Sequence, residues 1–175
     1  AEKYPDTEAL VALHQDIRWT YKEFVAKVNE AARAFMAIGV KRGDRVGIWS
    51  PNRYEWTVTQ FATAKVGAIL VNINPAYRTH ELAYALNQSG CRMLIAAPRF
   101  KSSDYVAMVA AVRDECPALE QSIFFWTPEW DALWQDANTV SQADFEARQA
   151  LLKAADPINI QYTSGTTGFP KGATL

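Results

Sequence analysis

The segment Tyr162-Thr163-Ser164-Gly165-Thr166-Thr167-Gly168-Phe169-Pro170-Lys171-Gly172 gathers hydroxyls, glycines and one cation into a single stretch. Glycines let a backbone turn its N–H groups inward and approach an anion closely. Ser164, Thr166 and Thr167 add short donors for phosphate oxygens, and Lys171 adds a compact positive charge. Pro170 limits the slack just before that lysine. Such a loop suits a polyphosphate. It is not a Walker A loop, which needs Gly-Lys followed by Ser or Thr; here Pro170 precedes the lysine and Gly172 follows it. No helix is predicted to start at Lys171, so an anion site on a helix N-terminus is not expected either, and this counts against a P-loop kinase or NTPase. The plainer alternative is a flexible Gly/Ser/Thr linker. Linkers are low in aromatic residues and carry no fixed lysine, unlike this stretch.

Other chemistry-bearing residues are isolated. His14 falls at a predicted turn and His80 in a first helical turn, each without a second ligand at metal spacing. Cys91 and Cys116 read as packing residues, because no basic neighbours mark a low-pKa thiol. Asn72, Asn74 and Tyr77 follow the carboxyl end of a predicted strand, where α/β folds place clefts. A plain strand-to-helix turn built on Asn-Pro chemistry explains them equally well.

The elements that must position the loop follow from hydrophobic spacing. Ala9–His14 and Ile17–Thr20 read as a hairpin. Thr20-Tyr21-Lys22-Glu23 is a capping box, opening a helix with Phe24, Val25, Val28, Ala31, Ala32 and Phe35 on one stripe and Gly39 at its end. Arg45–Trp49, Ile69–Asn72, Arg92–Ala96, Gln121–Phe125 and Ile158–Tyr162 are predicted strands. Between them lie helical stripes at Val58-Phe61-Ala62-Val66, Leu82-Ala85-Leu86 (capped by Thr79, ended by Gly90), Tyr105-Met108-Val109-Val112 and Ser141–Leu152. The aromatic-dense stretch from Phe124 to Trp134 is expected to be an irregular connection packed across a sheet edge. Strand and helix alternating with short connections predict an α/β fold, a mostly parallel sheet with crossover helices.

Bulk properties agree with a globular domain. The chain has 175 residues, 49% hydrophobic and 21% charged, with net charge −1, which argues against a nucleic-acid partner. The longest clear apolar run, Val66–Val71, is far short of a membrane span. The first residues show no signal-peptide pattern, and the chain opens on Ala1 rather than Met, leaving room for residues upstream. Two cysteines without paired spacing suit a reduced, cytoplasmic setting.

Thr163–Gly172 resembles the phosphate-loop signature of the adenylate-forming superfamily, Thr-Ser-Gly-Thr-Thr-Gly-x-Pro-Lys-Gly, across its full length. That superfamily includes acyl-CoA synthetases, peptide-synthetase adenylation domains and luciferases. Trp19-Thr20-Tyr21 and Gly43-Asp44-Arg45-Val46 resemble its opening. Ser50-Pro51-Asn52, Ala64-Lys65-Val66-Gly67-Ala68, Val71-Asn72-Ile73-Asn74-Pro75 and Asp156–Tyr162 are similar to the fatty-acyl-CoA synthetase branch. The resemblance implies an acid–thiol ligase that activates a fatty acid of medium or longer chain with ATP and Mg2+, then passes the acyl group to coenzyme A. It implies that Thr163, Ser164, Gly165, Thr166, Thr167, Gly168 and Lys171 bind the ATP phosphates. No catalytic or metal-binding residue is carried over, because the family's remaining motifs lie downstream. Residues 1–175 are thus read as an incomplete N-terminal domain ending just after the loop at 163–172, inactive by itself. An aryl- or amino-acid-adenylating member of the same superfamily, or a non-catalytic nucleotide-binding module, remains an alternative on these residues.

Overall fold

A computed structural model of the chain describes residues 1–163 and 170–175. The chain opens with strands β1 (Glu8–Ala12) and β2 (Ile17–Thr20), paired antiparallel through a short 3-10 turn in which Asp16 takes φ 54°. Helix α1 (Tyr21–Ala37) begins on the predicted capping box: the Thr20 side chain accepts from the Glu23 amide, and the Glu23 carboxylate accepts from the Thr20 amide. Phe24, Val28, Ala31, Ala32 and Phe35 form its buried stripe, and Gly39 follows its end at φ 87°.

From there the chain alternates. Strand β3 (Arg45–Trp49), helix α2 (Tyr54–Val66), strand β4 (Ile69–Ile73), helix α3 (Thr79–Ser89) and strand β5 (Met93–Ala96) run in succession. A small hairpin, β6 (Arg99–Phe100) and β7 (Ser103–Asp104), leads into α4 (Tyr105–Val112), and β8 (Gln121–Phe124) follows. Helices α5 (Pro128–Asp136) and α6 (Gln142–Ala150) precede the final strands β9 (Asn159–Thr163) and β10 (Lys171–Thr174). The main sheet has the order β10-β9-β4-β3-β5-β8, parallel throughout except for the antiparallel β9–β10 pair at its edge.

This order decides where the helices lie. The step from β3 to β4 runs one way along the sheet, and the step from β4 to β5 runs the other. Right-handed crossovers therefore put α2 and α3 on opposite faces. Helix α1 packs on α2 and α5, and α2 on α6, while α3 packs on α4. With both faces covered, the central strands are apolar on both sides. Ile48, Trp49, Leu70, Val71, Leu94 and Ile95 are all buried, and each such large side chain contributes about 1.5–3 kcal/mol of burial.

Four details differ from the sequence reading. The aromatic stretch is not irregular: α5 starts on Thr127, whose hydroxyl accepts from the Trp130 amide, with Pro128 in the first turn and Trp130 and Leu133 buried. Helix α3 is capped one residue earlier than predicted, at Arg78, whose amide donates to Glu81 at 3.0 Å. Phe61 is 48% exposed and meets Phe24 edge-on. The inner face of α2 instead carries Glu55, Thr59 and Thr63 beside Val58, Ala62 and Val66. Thr59 and Thr63 donate to the carbonyls of Glu55 and Thr59 one turn back, which satisfies their buried hydroxyls. Lastly, β10 is a strand that the residue pattern did not announce.

Candidate functional site

A crevice of about 340 Å³ opens at the carboxyl ends of β3, β4 and β9. It lies where neighbouring strands send their helices to opposite faces, the position at which open α/β sheets bind ligands. Ser50 and Asn52 line it after β3, Asn72, Asn74 and Pro75 at the end of β4, and Gln161 and Tyr162 on β9, with Trp56 beside them. Of the residues for which a cleft and a plain strand-to-helix turn are equal readings, Asn72 and Asn74 line this crevice and Tyr77 does not.

The crevice wall is braced from below. The indole N–H of Trp49 donates to the Asn74 carbonyl at 3.0 Å, and the Asn74 side chain accepts from the Ala76 amide at 2.9 Å. Tyr105 stacks on Trp49 with ring centroids 3.5 Å apart and donates its hydroxyl to the Pro75 carbonyl. Burial pushes the Tyr105 phenol up to about 12, so it stays a neutral donor. Deeper in, Asn72 Nδ2 donates to Asn159 Oδ1 at 3.0 Å. Asn72 Oδ1 is buried yet takes no hydrogen bond from the described residues.

The glycine- and hydroxyl-rich loop leaves this same end of the sheet. Thr163 closes β9, Lys171 opens β10, and the two stand opposite each other in the antiparallel register. Ser164, Gly165, Thr166, Thr167 and Gly168 lie outside the described residues. The described residues that flank it on both sides are strands, whereas a Walker A loop leads into a helix. Lys171 is exposed at this rim. Gly172 faces Tyr162, and a Cβ there would stand 3.0 Å from Ile160 Cγ2 and 3.5 Å from the Tyr162 ring. A side chain there would press on Ile160 and touch the Tyr162 ring.

Both limbs of this hairpin touch α3. Tyr162 donates its hydroxyl to the Ala85 carbonyl at 3.0 Å, and Tyr84 donates to the Pro170 carbonyl at 3.0 Å. Burial raises the Tyr162 phenol to about 12, which keeps that donor protonated. Sequence reasoning missed Tyr84. The contact joins residues 86 positions apart, and no local pattern could have announced it.

The family model for AMP-binding enzymes matches residues 1–175. The chain belongs to the AMP-binding enzyme family. This family member is 39% identical over 197 residues to a mitochondrial medium-chain acyl-CoA ligase of Mus musculus, covering 100% of this chain and 32% of the relative. Its fold is similar to a Mycobacterium tuberculosis fatty acyl CoA synthetase, with TM-score 0.81 and 28% identity over 100% of this chain and 32% of that one. A long-chain-fatty-acid-CoA ligase from Archaeoglobus fulgidus gives TM-score 0.81 at 26% identity, covering 100% of this chain and 34% of the other. The chain thus spans about a third of the length of the curated relative.

Several family-like motifs of this AMP-binding chain have a structural purpose. Asp44 of Gly43-Asp44-Arg45-Val46 accepts from the Lys41 amide and from Arg92, and its carbonyl accepts from the Ile69 amide. Arg45 donates to the carbonyls of Ser89 and Gly43. Gly67 of Ala64-Lys65-Val66-Gly67-Ala68 ends α2 at φ 76°. Cys91 and Cys116 are buried, and loss of water pushes the Cys91 thiol up to about 12, far from a nucleophile's range. Among the described residues, no group of three His, Cys, Asp or Glu side chains could hold a metal ion, and no helix is long and apolar enough to cross a membrane.

Proposed function

We propose that this chain is the front part of an acyl-CoA synthetase that activates a medium- or long-chain fatty acid with ATP. The single observation that carries the reading is the pairing of Thr163 with Lys171 next to Gln161 and Tyr162 of the crevice, because the segment Thr163–Gly172 is a full match to a phosphate-loop signature. The mouse relative's name supports an acyl-CoA ligase. In the first half-reaction a carboxylate oxygen of the acid attacks the α-phosphorus of ATP, the bond to the pyrophosphate oxygen breaks, and acyl-adenylate forms. In the second, the thiol of coenzyme A attacks the acyl carbon and AMP leaves.

The residues of this chain serve the first half. Acid and triphosphate repel each other, and pyrophosphate gains charge as it departs. Thr163, Ser164, Gly165, Thr166, Thr167 and Gly168 would supply N–H and hydroxyl donors to the β- and γ-phosphates, and Lys171 would offset their charge. Mg2+ would enter as the complex with ATP and offset part of the triphosphate's charge.

The test uses the full-length protein with Thr166, Thr167 and Lys171 replaced by alanine, and reads pyrophosphate release over a panel of fatty, aryl and amino acids. Fatty acids should be the preferred substrates. The triple variant should lose adenylate formation by about 100-fold, while thioester formation from supplied acyl-adenylate and coenzyme A persists. Adenylation at the normal rate would sink the assignment of the loop. Clear turnover by residues 1–175 alone would contradict the reading that the chemistry needs the rest of the protein.

A further inference from the structure

The two limbs of the hairpin are held by consecutive residues of one helix. Tyr162, the residue before Thr163, bonds the Ala85 carbonyl, and Tyr84 bonds the carbonyl of Pro170, the residue before Lys171. Strand β10 is the edge of the main sheet and all four of its residues are exposed. Its position therefore depends on the β9 ladder and on whatever else grips it. Pro170 has no N–H to offer, so its carbonyl is the one polar backbone group available there. Tyr84 uses it.

The Tyr84 hydroxyl is itself a relay. It accepts from Gln88 Nε2 at 2.6 Å while donating to Pro170. A hydroxyl that accepts a hydrogen bond donates more strongly. The same helix begins a few residues after the Asn74-Pro75 wall of the crevice, so the chain runs directly from that wall into the helix that grips the hairpin.

We propose that Tyr84 is a positioning residue for the phosphate-binding hairpin, acting through the Pro170 carbonyl to set where Lys171 stands relative to Thr163 and the crevice. This rests on the reading of that hairpin as the phosphate site. Tyr84 is proposed here as a positioning residue, because the contact that bears on the hairpin is to the Pro170 backbone carbonyl. Positioning of this kind matters because a small displacement of a charge-stabilising group weakens it most in the transition state.

The experiment is Tyr84→Phe in the full-length protein, a change that keeps the ring and removes the donor. Adenylate formation with saturated fatty acids should fall about fivefold to tenfold, the loss of one hydrogen bond. Thioester formation from supplied acyl-adenylate and coenzyme A should stay within about twofold of the parent. Gln88→Leu should shift adenylation in the same direction by less. Amide hydrogen exchange over residues 160–163 and 171–174 should rise in Tyr84→Phe and remain as in the parent elsewhere.

Equal losses in both half-reactions with exchange raised across the whole domain would overturn the proposal, since that is general destabilisation. Unchanged adenylation overturns it whether or not hairpin exchange rises, and unchanged hairpin exchange overturns it too. If the parent protein forms no adenylate with any acid, the assigned activity falls instead, and the exchange measurement alone then decides the anchor.

Discussion

Gly67 sits at φ 76°, donates its amide to the Ala64 carbonyl and lends its own carbonyl to the Gly43 amide at 2.7 Å. A side chain there meets two obstacles. The backbone lies in the left-handed region, and a Cβ would come within 2.6 Å of Leu152 Cδ2. Gly67→Ala is therefore expected to cost about 2 kcal/mol, read as a lower urea midpoint. A neutral substitution would mean that the turn between α2 and β4 relaxes without loss. The sequence marked this glycine only as part of a family-like motif. The reason for it lies in Leu152, which arrives from 85 positions downstream.

At the scale of the element, α1 shows how much a local pattern can specify. Its first turn satisfies its own amides: Thr20 and Glu23 cap each other reciprocally. The Glu23 carboxyl lies below its ordinary 4.5 because the Thr20 amide, and then the Thr20 hydroxyl, donate to it. A depressed carboxyl contributes stability that is fully present above the unfolded value and is lost as pH falls through the folded one. The stability advantage of the parent over Glu23→Gln should thus be present near neutral pH and vanish on acidification below that folded value. Denaturant midpoints measured across the range check this, and an advantage independent of pH would contradict it. Helix α5 carries an equally local start signal in Thr127-Pro128, but the density of aromatic side chains around it favoured an irregular reading. Those aromatics form the helix's packing: Trp130 meets Phe125 and Trp134 edge-on.

For the whole molecule, one buried carboxylate joins three separate segments. Glu55 is 1% exposed and accepts from Gln15 of the first hairpin at 2.8 Å and from the indole of Trp126 at 3.0 Å, with Arg53 Nε 3.4 Å away. Trp126, in the turn between β8 and α5, takes φ 62°, a conformation a bulky residue holds only when its surroundings impose it. The Arg53 guanidinium lies 4.4 Å above its ring. Glu55→Ala strands these donors at once and is expected to cost about 2–4 kcal/mol. Trp126 fluorescence should change in the folded state as its indole loses its acceptor. A loss below about 0.5 kcal/mol, the range of ordinary surface changes, would show that the three segments hold their places without it.

The residue pattern by itself determined the alternation of strands and helices, several helix ends and the place of the glycine- and hydroxyl-rich loop between them, because periodicity, capping and turn chemistry act within a few positions along the chain. It also implied the family, which the match over residues 1–175 shows. Only the tertiary structure decided that Lys171 opens an antiparallel edge strand opposite Thr163, that Asn72 meets Asn159, and that Tyr84 and Ala85 hold the two limbs of the hairpin. Those contacts join residues that are far apart in the chain or depend on strand order. A hydrogen bond across such a distance exists only once the crossovers have placed α3 beside β9, and nothing in the local sequence records that placement.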